Sequence, residues 1–303
     1  MSTSDPAVMR RDAEARTLLG PQAITIHHQP VVCLDDARTH AYEALMRPMV
    51  AAFDDPLDAF RAAEGAGLGS QLDHACVESA LDSLPDVPTG ARLFVNASPT
   101  TLLDGTLTTQ WLTDAIRARG GSPESVVIEL TEHADVDDLA ALADATGALQ
   151  RAGVGVALDD TGTGNNSLER ITLLRPDYVK LDQSLVRGCD QSFHLLEIVR
   201  ILTTFCVALG ARVIAEGIET IRELTAVKRA GAHMAQGFRI ARPSQGYPQV
   251  DSTTASTITR SSVVDRGVAA ARALATPLAT IDDLLTILAG TPRTLRPRRR
   301  PPG

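Results

Sequence analysis

Hydrophobic and polar positions alternate along the chain in a pattern that predicts a repeated strand–helix unit. Segments between the candidate strands carry apolar residues at helical spacing, as in residues 137–152 and 193–209. Short strands that alternate with such helices are typical of βα units, and eight of them favour an α/β (β/α)8 TIM-like barrel. The candidate strands are residues 23–32, 41–46, 92–95, 126–130, 154–158, 178–181, 212–215 and 233–238.

The first two candidate strands are joined by residues 34–40 alone. A parallel pair needs a crossover connection of a dozen or more residues, whereas an antiparallel pair can be joined by a tight turn. The pattern therefore predicts a barrel whose first strand runs antiparallel to the second.

The chain changes in texture after Pro243. Residues 251–262 are rich in Ser and Thr and are predicted to form a linker, and residues 263–274 and 281–288 have the pattern of two short helices. Residues 293–303 combine five arginines with prolines, which predicts a disordered basic tail.

Composition narrows the class of function. The net charge of −8 and the aromatic content of 3% disfavour a nucleic-acid binder, which needs positive charge and stacking platforms. The first 16 residues lack an apolar signal core, and no run of about 18 apolar residues occurs, so we expect a cytoplasmic protein without membrane contact. Four widely spaced cysteines form no CxxC pair, which argues against a zinc site of the usual spacing.

Polar residues stand where the candidate strands end, and this is the pattern that carries chemistry. The carboxyl ends of parallel barrel strands face one mouth, so we expect these side chains to converge there. Any one acid after a strand could instead cap the following helix, but an amide and a lysine have no reason to join such a set. The residues are Asn96, Glu129, Asp159, Asp160, Lys180 and Glu216, accompanied by Glu43, Glu132, Asp182, Glu219 and Gln236.

Carboxylates crowded together repel one another unless cations lie between them. Oxygen ligands without Cys or His favour Mg²⁺ or Mn²⁺ over zinc. Several carboxylates, an amide and a lysine around a pair of such ions are suited to phosphodiester hydrolysis. The sequence therefore predicts a two-metal hydrolytic site at the barrel mouth.

The same residues resemble the EAL-domain family, from about residue 15 to residue 246. On this basis residues 1–14 are an N-terminal extension and residues 247–303 lie beyond the domain. The motifs that carry the resemblance, in chain order, are Gln29-Pro30-Val31-Val32, Glu43-Ala44-Leu45-Met46-Arg47, Phe94-Val95-Asn96, Glu129-Leu130-Thr131-Glu132, Asp159-Asp160-Thr161-Gly162-Thr163-Gly164, Val179-Lys180-Leu181-Asp182, Ala215-Glu216-Gly217-Ile218-Glu219-Thr220 and Gln236-Gly237-Phe238.

The resemblance implies hydrolysis of cyclic di-GMP to linear pGpG by an enzyme that is often a homodimer. It implies metal ligands at Glu43, Asn96, Glu129, Asp159, Asp160 and Glu216, of which Glu216 is ligand or general base. It implies that Lys180 acts on the attacking water with the support of Asp182, and that Glu132 and Glu219 brace the loop after Asp160. Substrate contacts are implied for Gln29, Leu45, Arg47 and Gln236.

The loop after Asp160 departs from the family pattern. Thr161 stands where phenylalanine is usual, and Asn165-Asn166 replaces an aromatic–serine pair. Pro48 stands where a larger residue is common. We expect these changes to affect the packing of the loop, its part in dimerisation and the tightness of metal binding, whereas the ligand set is complete.

Two other functions remain open at this point. An EAL domain without turnover can act as a cyclic-di-GMP receptor or as a regulator of a partner protein. A barrel phosphohydrolase acting on a different phosphodiester is the second alternative.

Overall fold

The computed structural model describes residues 6–131, 138–162 and 167–260 of the 303-residue chain. Within these residues eight strands close into a barrel in chain order. They are β1 Ile24–Cys33, β2 Thr39–Pro48, β3 Arg92–Ala97, β4 Val126–Leu130, β5 Gly155–Thr161, β6 Tyr178–Leu181, β7 Arg212–Ala215 and β8 Met234–Ala235.

The predicted antiparallel first strand is confirmed. Strand β1 pairs antiparallel with both β2 and β8, while the remaining neighbours from β2 to β8 pair in parallel. The connection between β1 and β2 is a short turn, in which Cys33 N donates to Arg38 O at 2.9 Å. The barrel is thus an α/β fold with one reversed strand, as the sequence indicated.

Helices cover the outside of the barrel. Most begin at a capping side chain: Asp55, Ser98, Thr108, Asp138 and Ser192 each accept a backbone N–H of the first turn. The helices whose two ends both lie in the described residues are α1 Pro6–Thr17, α2 Pro56–Gly65, α3 Gly69–Asp82, α4 Pro99–Leu103, α5 Thr109–Ala118, α6 Leu139–Arg151, α7 Ser167–Leu174, α8 Gln183–Val186, α9 Phe193–Ala208 and α10 Ile221–Arg229. No helix in the described part of the chain is both long and apolar enough to cross a bilayer.

The barrel interior is filled by an apolar layer to which each strand contributes one side chain. Because side chains alternate along a strand, the residues two positions away on either side also face the interior. This middle layer therefore separates the mouth from the opposite end of the barrel. Its members are Val31, Ala41, Phe94, Val127, Ala157, Tyr178, Ile214 and Met234.

Two features at the ends of the domain differ from the expectations. Helix α1 crosses residue 14, where we placed the end of an N-terminal extension, and its Ala15 is buried. The linker predicted at residues 251–262 is wrong for residues 252–260, which are helical. Asp251 Oδ1 accepts the N–H groups of Thr253 and Thr254 at 2.9 and 3.0 Å and starts this helix.

The Ser and Thr content suggested a linker, but the helical spacing of the buried residues determines the secondary structure of this segment. Thr254 and Ile258, one turn apart, are 0% and 1% exposed and pack onto the domain. Lys228 Nζ donates to Ile258 O at 2.6 Å and holds the segment to α10. The predicted short helices and basic tail beyond residue 260 lie outside the described residues.

A buried carboxylate away from the barrel mouth gives a stability prediction. Asp73 on α3 is 5% exposed, and its Oδ2 accepts Ser98 N at 2.9 Å. Burial raises the pKa of Asp73 to about 6. The unfolded value is about 4, so the charged carboxylate costs free energy above pH 6, and this cost disappears as the pH falls towards 4.

We therefore expect Asp73→Asn, which keeps an acceptor for Ser98 N, to raise the free energy of unfolding at pH 8 by up to about 3 kcal/mol. The gain should shrink at pH 5 in urea denaturation measured at both pH values. Asp144→Asn, on the exposed face of α6, is the control and should change little at either pH. A loss of stability at pH 8 would contradict the prediction.

Candidate active site

The polar residues predicted at the strand ends form the layer above the apolar interior. Each lies two positions from a member of the middle layer, towards the mouth, either on the same strand or, for Glu216 and Gln236, directly after its end. Alternation along eight strands thus places one polar side chain per strand at the same height. This mouth layer consists of Gln29, Glu43, Asn96, Glu129, Asp159, Lys180, Glu216 and Gln236.

Lys180 occupies the centre of the mouth layer. Its Nζ lies 3.3 Å from Glu43 Oε2, 3.2 Å from Asp159 Oδ1 and 2.7 Å from Glu216 Oε1. It also forms an ion pair with Glu129. The Lys180 side chain is 1% exposed and that of Glu129 is fully buried, so this cluster lies beneath the surface of the mouth.

Four carboxylates around one ammonium group leave the cluster with an excess of negative charge. Burial, and next the charge of Glu43, raises the pKa of Glu129 well above its ordinary value. Burial, followed by Asp159, does the same to the pKa of Glu216. Burial opposes ionisation of Asp159 as well, but the Lys180 ammonium outweighs it and lowers that pKa. Burial acts against the charge of Lys180, yet the carboxylates, Asp159 first, raise its pKa well above 10.5.

Glu43 is oriented by amide groups from three other strands. Asn96 Nδ2 donates to Glu43 Oε1 at 3.1 Å, and Gln236 Nε2 donates to Glu43 Oε2 at 2.5 Å. Gln236 Nε2 also donates to Gln29 Oε1 at 3.0 Å, and Gln29 Nε2 donates to Ala241 O at 3.0 Å. This chain of donors fixes the carboxylate plane of Glu43 before any ligand arrives.

An irregularity in β5 presents two consecutive carboxylates to the mouth. Leu158 pairs with Val179 and Thr161 pairs with Leu181, so Asp159 and Asp160 together face the single residue Lys180. Asp160 has a φ of 53°, a left-handed conformation that Asp tolerates better than most residues. Such bulges re-aim side chains next to active sites.

These carboxylates fit a site for hard divalent cations. One oxygen each of Asp159, Asp160 and Glu216 lies within 4.8 Å of the others. In the described residues, Glu129 Oε2 and Gln236 Oε1 are buried and accept no hydrogen bond. An unpartnered buried carboxylate oxygen among crowded acids is the environment that a cation would satisfy.

A pocket of about 220 Å³ opens above the mouth layer. Of the residues predicted for the site, those lining it are Gln29, Glu43, Asp159, Asp160, Lys180, Asp182, Glu216, Glu219 and Gln236. Asn96 and Glu129 lie beneath the lining and contact it through Glu43 and Lys180. Leu45 and Arg47 are not part of the lining, and Arg47 Nη1 donates to Met46 O at 2.8 Å.

Two carboxylates take contacts that sequence reasoning did not anticipate. Asp182 Oδ1 accepts Ser184 N at 2.8 Å and caps α8, and among the described residues it is absent from the ion pairs of Lys180. Glu219 forms an ion pair with Arg187 on the rim of the pocket. Glu132, the other predicted brace, lies outside the described residues, as do residues 163–166 of the loop.

Sequence reasoning missed four contributors to the pocket. Gln183, Gly217 and Gly237 line it, as does Phe238, which is 50% exposed and has the Arg242 guanidinium carbon 4.2 Å from its ring centre. Gly237 has a φ of 155°, and a Cβ there would lie 2.2 Å from Ile218 N. Only glycine lets β8 approach the segment after β7 so closely, and the Gly237-Phe238 pair directly after Gln236 was the available signal.

Comparison with known proteins decides the family. The EAL domain model matches residues 12–243. This chain belongs to the EAL-domain family. The matched residues include all eight strands of the closed barrel.

Relatives and solved structures agree with this assignment. The chain is 26% identical to the cyclic di-GMP phosphodiesterase NbdA of Pseudomonas aeruginosa, over 78% of this chain and 31% of that protein. It is 30% identical to Klebsiella pneumoniae BlrP1, solved with cyclic di-GMP and calcium or manganese, with a TM-score of 0.69 over 76% of this chain and 58% of that one.

The relatives are longer proteins. The chain spans about a third of the length of the curated relatives that it matches. One of them is the blue light- and temperature-regulated antirepressor BluF of Escherichia coli, 29% identical over 52% of this chain and 39% of that protein.

Two of the departures from the family pattern, Thr161 and Pro48, lie in the described residues, whereas Asn165-Asn166 lies outside them. Thr161, in the usual place of a phenylalanine, is 2% exposed at the end of β5. It borders a small cavity of about 10 Å³ with Leu158 and Arg170. Pro48 ends β2 opposite Ile24. Neither Thr161 nor Pro48 is among the residues that line the pocket above the mouth layer.

Proposed function

We propose that this EAL domain hydrolyses cyclic di-GMP to linear pGpG with Mg²⁺ or Mn²⁺, two ions per site. The observation that carries the proposal is the mouth layer, in which four carboxylates, three amides and one ammonium group converge above the barrel. In the reaction, water adds to one phosphorus atom and the bond from phosphorus to a ribose 3′ oxygen breaks. The other phosphodiester stays intact in pGpG.

The proposed ligand sets are those that the resemblance implies, and the convergence of the side chains supports them. Glu43, Asn96, Glu129 and Asp159 would hold one ion, and Asp159, Asp160 and Glu216 offer oxygens for a second. When bound, such ions neutralise the phosphate and lower the pKa of a coordinated water. The hydrogen bonds from Asn96 and Gln236 orient Glu43 for this role.

The remaining residues handle the water and the substrate. Lys180, charged and buried among the carboxylates, is placed to orient the attacking water, and Glu216 is ligand or general base. Asp182 acts on this region through the start of α8, which it caps. Gln29, Leu45, Arg47 and Gln236 are proposed substrate contacts, of which Gln29 and Gln236 line the pocket. Glu132 and Glu219 remain the proposed braces of the loop after Asp160.

The experiment separates turnover from binding. Purified protein is incubated with cyclic di-GMP and either Mn²⁺ or Mg²⁺, and the products are resolved by chromatography. We expect pGpG with either ion and none in excess chelator, because every proposed ligand is a hard oxygen donor. Full turnover in chelator would contradict the two-metal site.

A second function is favoured by the similarity to BluF, whose name describes an antirepressor. In that case this domain would act by binding a partner protein. If cyclic di-GMP binds in calorimetry while no product forms with either ion, this domain is a receptor or regulator and not a hydrolase. If an unrelated phosphodiester is cleaved faster than cyclic di-GMP, the substrate assignment is wrong. The homodimer implied by the resemblance and the cytoplasmic location expected from the sequence stay predictions.

A further inference from the structure

The end of the barrel opposite the mouth holds a cluster of basic residues that the proposed reaction does not use. Arg92 and Arg212 lie two positions below the middle-layer residues Phe94 and Ile214, so both face the interior at this lower end. Strands β3 and β7 stand opposite each other in the closed barrel. Two guanidinium groups are thus directed towards one space from opposite walls.

Tyr178 and His40 join the two arginines in one hydrogen-bond network. Arg92 Nη1 donates to Tyr178 Oη at 2.9 Å, and Tyr178 Oη lies 2.9 Å from His40 Nε2. Arg212 Nη1 lies 3.3 Å from the same His40 nitrogen. Both guanidinium carbons are 5.9 Å from the centre of the Tyr178 ring.

The chemistry of the donors assigns the charges in this network. A guanidinium group only donates, so His40 Nε2 accepts from Arg212 and from the Tyr178 hydroxyl. His40 is therefore neutral, and burial, Arg212 and Arg92 together lower its pKa to about 4. The cluster carries two positive charges.

No carboxylate of the described residues lies within 4.0 Å of either guanidinium group. Asp177, next to Tyr178, directs Oδ2 to Val156 N and Gln150 Nε2 instead. Glu124, whose pKa Arg92 helps to lower, also stays beyond that distance. Like charges repel, and each guanidinium has five N–H donors. Arg92 donates to Tyr178, and Arg212 forms hydrogen bonds with His40, Tyr178 and Cys33, so each guanidinium keeps further N–H donors.

We propose that this lower end of the barrel binds a phosphate-type oxyanion, either inorganic phosphate or a phosphomonoester. Guanidinium groups match the geometry of phosphate oxygens and bind them bidentately. Without metal ions the acidic mouth repels the same anions, and the apolar middle layer separates the two ends. The site is independent of the proposed hydrolysis.

The test measures phosphate binding in excess chelator, so that no metal at the mouth can hold the anion. Inorganic phosphate and GMP are each titrated into the wild-type protein by calorimetry, with sodium chloride at equal ionic strength as reference. The Arg92→Gln and Arg212→Gln variants should bind about tenfold more weakly or not at all, since each loses a charge-assisted contact. Arg117→Gln, at an exposed arginine on α5, is the matched control and should bind as wild type.

A second measurement needs no variant. A phosphate anion between the guanidinium groups would offset the positive charges that lower the pKa of His40. Nuclear magnetic resonance should therefore show this pKa rising when phosphate saturates the site. Binding of inorganic phosphate but not GMP assigns the free anion, and binding of GMP assigns a phosphomonoester. No binding by the wild-type protein at millimolar phosphate, undiminished binding by the glutamine variants, or an unchanged His40 titration would overturn the proposal.

Discussion

Glu216→Gln is expected to lower the rate of cyclic di-GMP hydrolysis more than about a hundredfold while leaving the fold at least as stable. Changes to groups that only orient metal ligands already cost about 10–100-fold, and Glu216 is placed as a ligand or general base. Its Oε1 lies 2.7 Å from Lys180 Nζ, in a cluster where four carboxylates share one ammonium group. The expected loss is therefore in metal binding and chemistry.

Stability distinguishes this role from a structural one. Because burial, followed by Asp159, raises the pKa of Glu216, its charged form is disfavoured in the folded protein. A neutral amide relieves that cost, so the free energy of unfolding in chelator should equal or exceed that of the wild type. Active-site residues whose removal stabilises the fold are a known signature of function.

Three measurements complete this test: product formation, Mn²⁺ binding by calorimetry and urea denaturation in chelator. Glu78→Gln, at an exposed carboxylate on α3, is the matched control and should retain turnover. A Glu216→Gln variant that binds Mn²⁺ and turns over as the wild type does would remove Glu216 from the site. One that is inactive because it unfolds would instead indicate a structural role.

The candidate site was largely predictable from sequence because it obeys a simple geometric rule. Side chains alternate along a strand, and parallel strands end at one mouth, so Asn96, Glu129, Asp159 and Glu216 had to converge once the strands were located. The reversed strand β1 was predictable for a similar reason, since residues 34–40 are too few for a crossover. Local pattern determined both results.

Contacts between distant segments were not predictable in this way. The chain of donors from Glu43 through Gln236 and Gln29 to Ala241 exists because β1 closes the barrel against β8. Asp182 looked like a partner of Lys180 but caps α8, a choice that depends on the path of the chain after β6. Likewise, the helix at residues 252–260 depends on the surface that receives Ile258.

Composition offered one further signal. The chain has 29 Lys and Arg residues, yet only Lys180 and Lys228 are lysines. A chain that uses arginine for nearly all of its positive charges places one of its two lysines among four carboxylates. An ammonium group is compact and lacks the planar fork of a guanidinium, so it fits a point at which several oxygens converge.

The Lys180→Met variant is expected to lower kcat by about 10²–10⁴-fold, the range typical for a group that acts on a proton or on the attacking water. KM should change little, because Lys180 is proposed to act on the water. In chelator the variant should also lose about 3–5 kcal/mol of stability, since removing one partner leaves buried charges uncompensated. Glu129 is fully buried against Lys180, so the loss of the ammonium group costs the most free energy at this carboxylate.

Mn²⁺ should restore part of that stability, because a cation that binds only the folded state shifts the unfolding equilibrium by mass action. It should stabilise the variant by more than it stabilises the wild type. Thermal denaturation with and without Mn²⁺ measures this difference independently of activity. Lys228→Met removes the same charge outside the site and should keep kcat. Arg47→Gln should mainly raise KM, as a substrate contact would. A Lys180→Met variant with unaltered stability in chelator, or one that loses affinity for substrate but not rate, would show that Lys180 neither neutralises the carboxylates nor acts on the water.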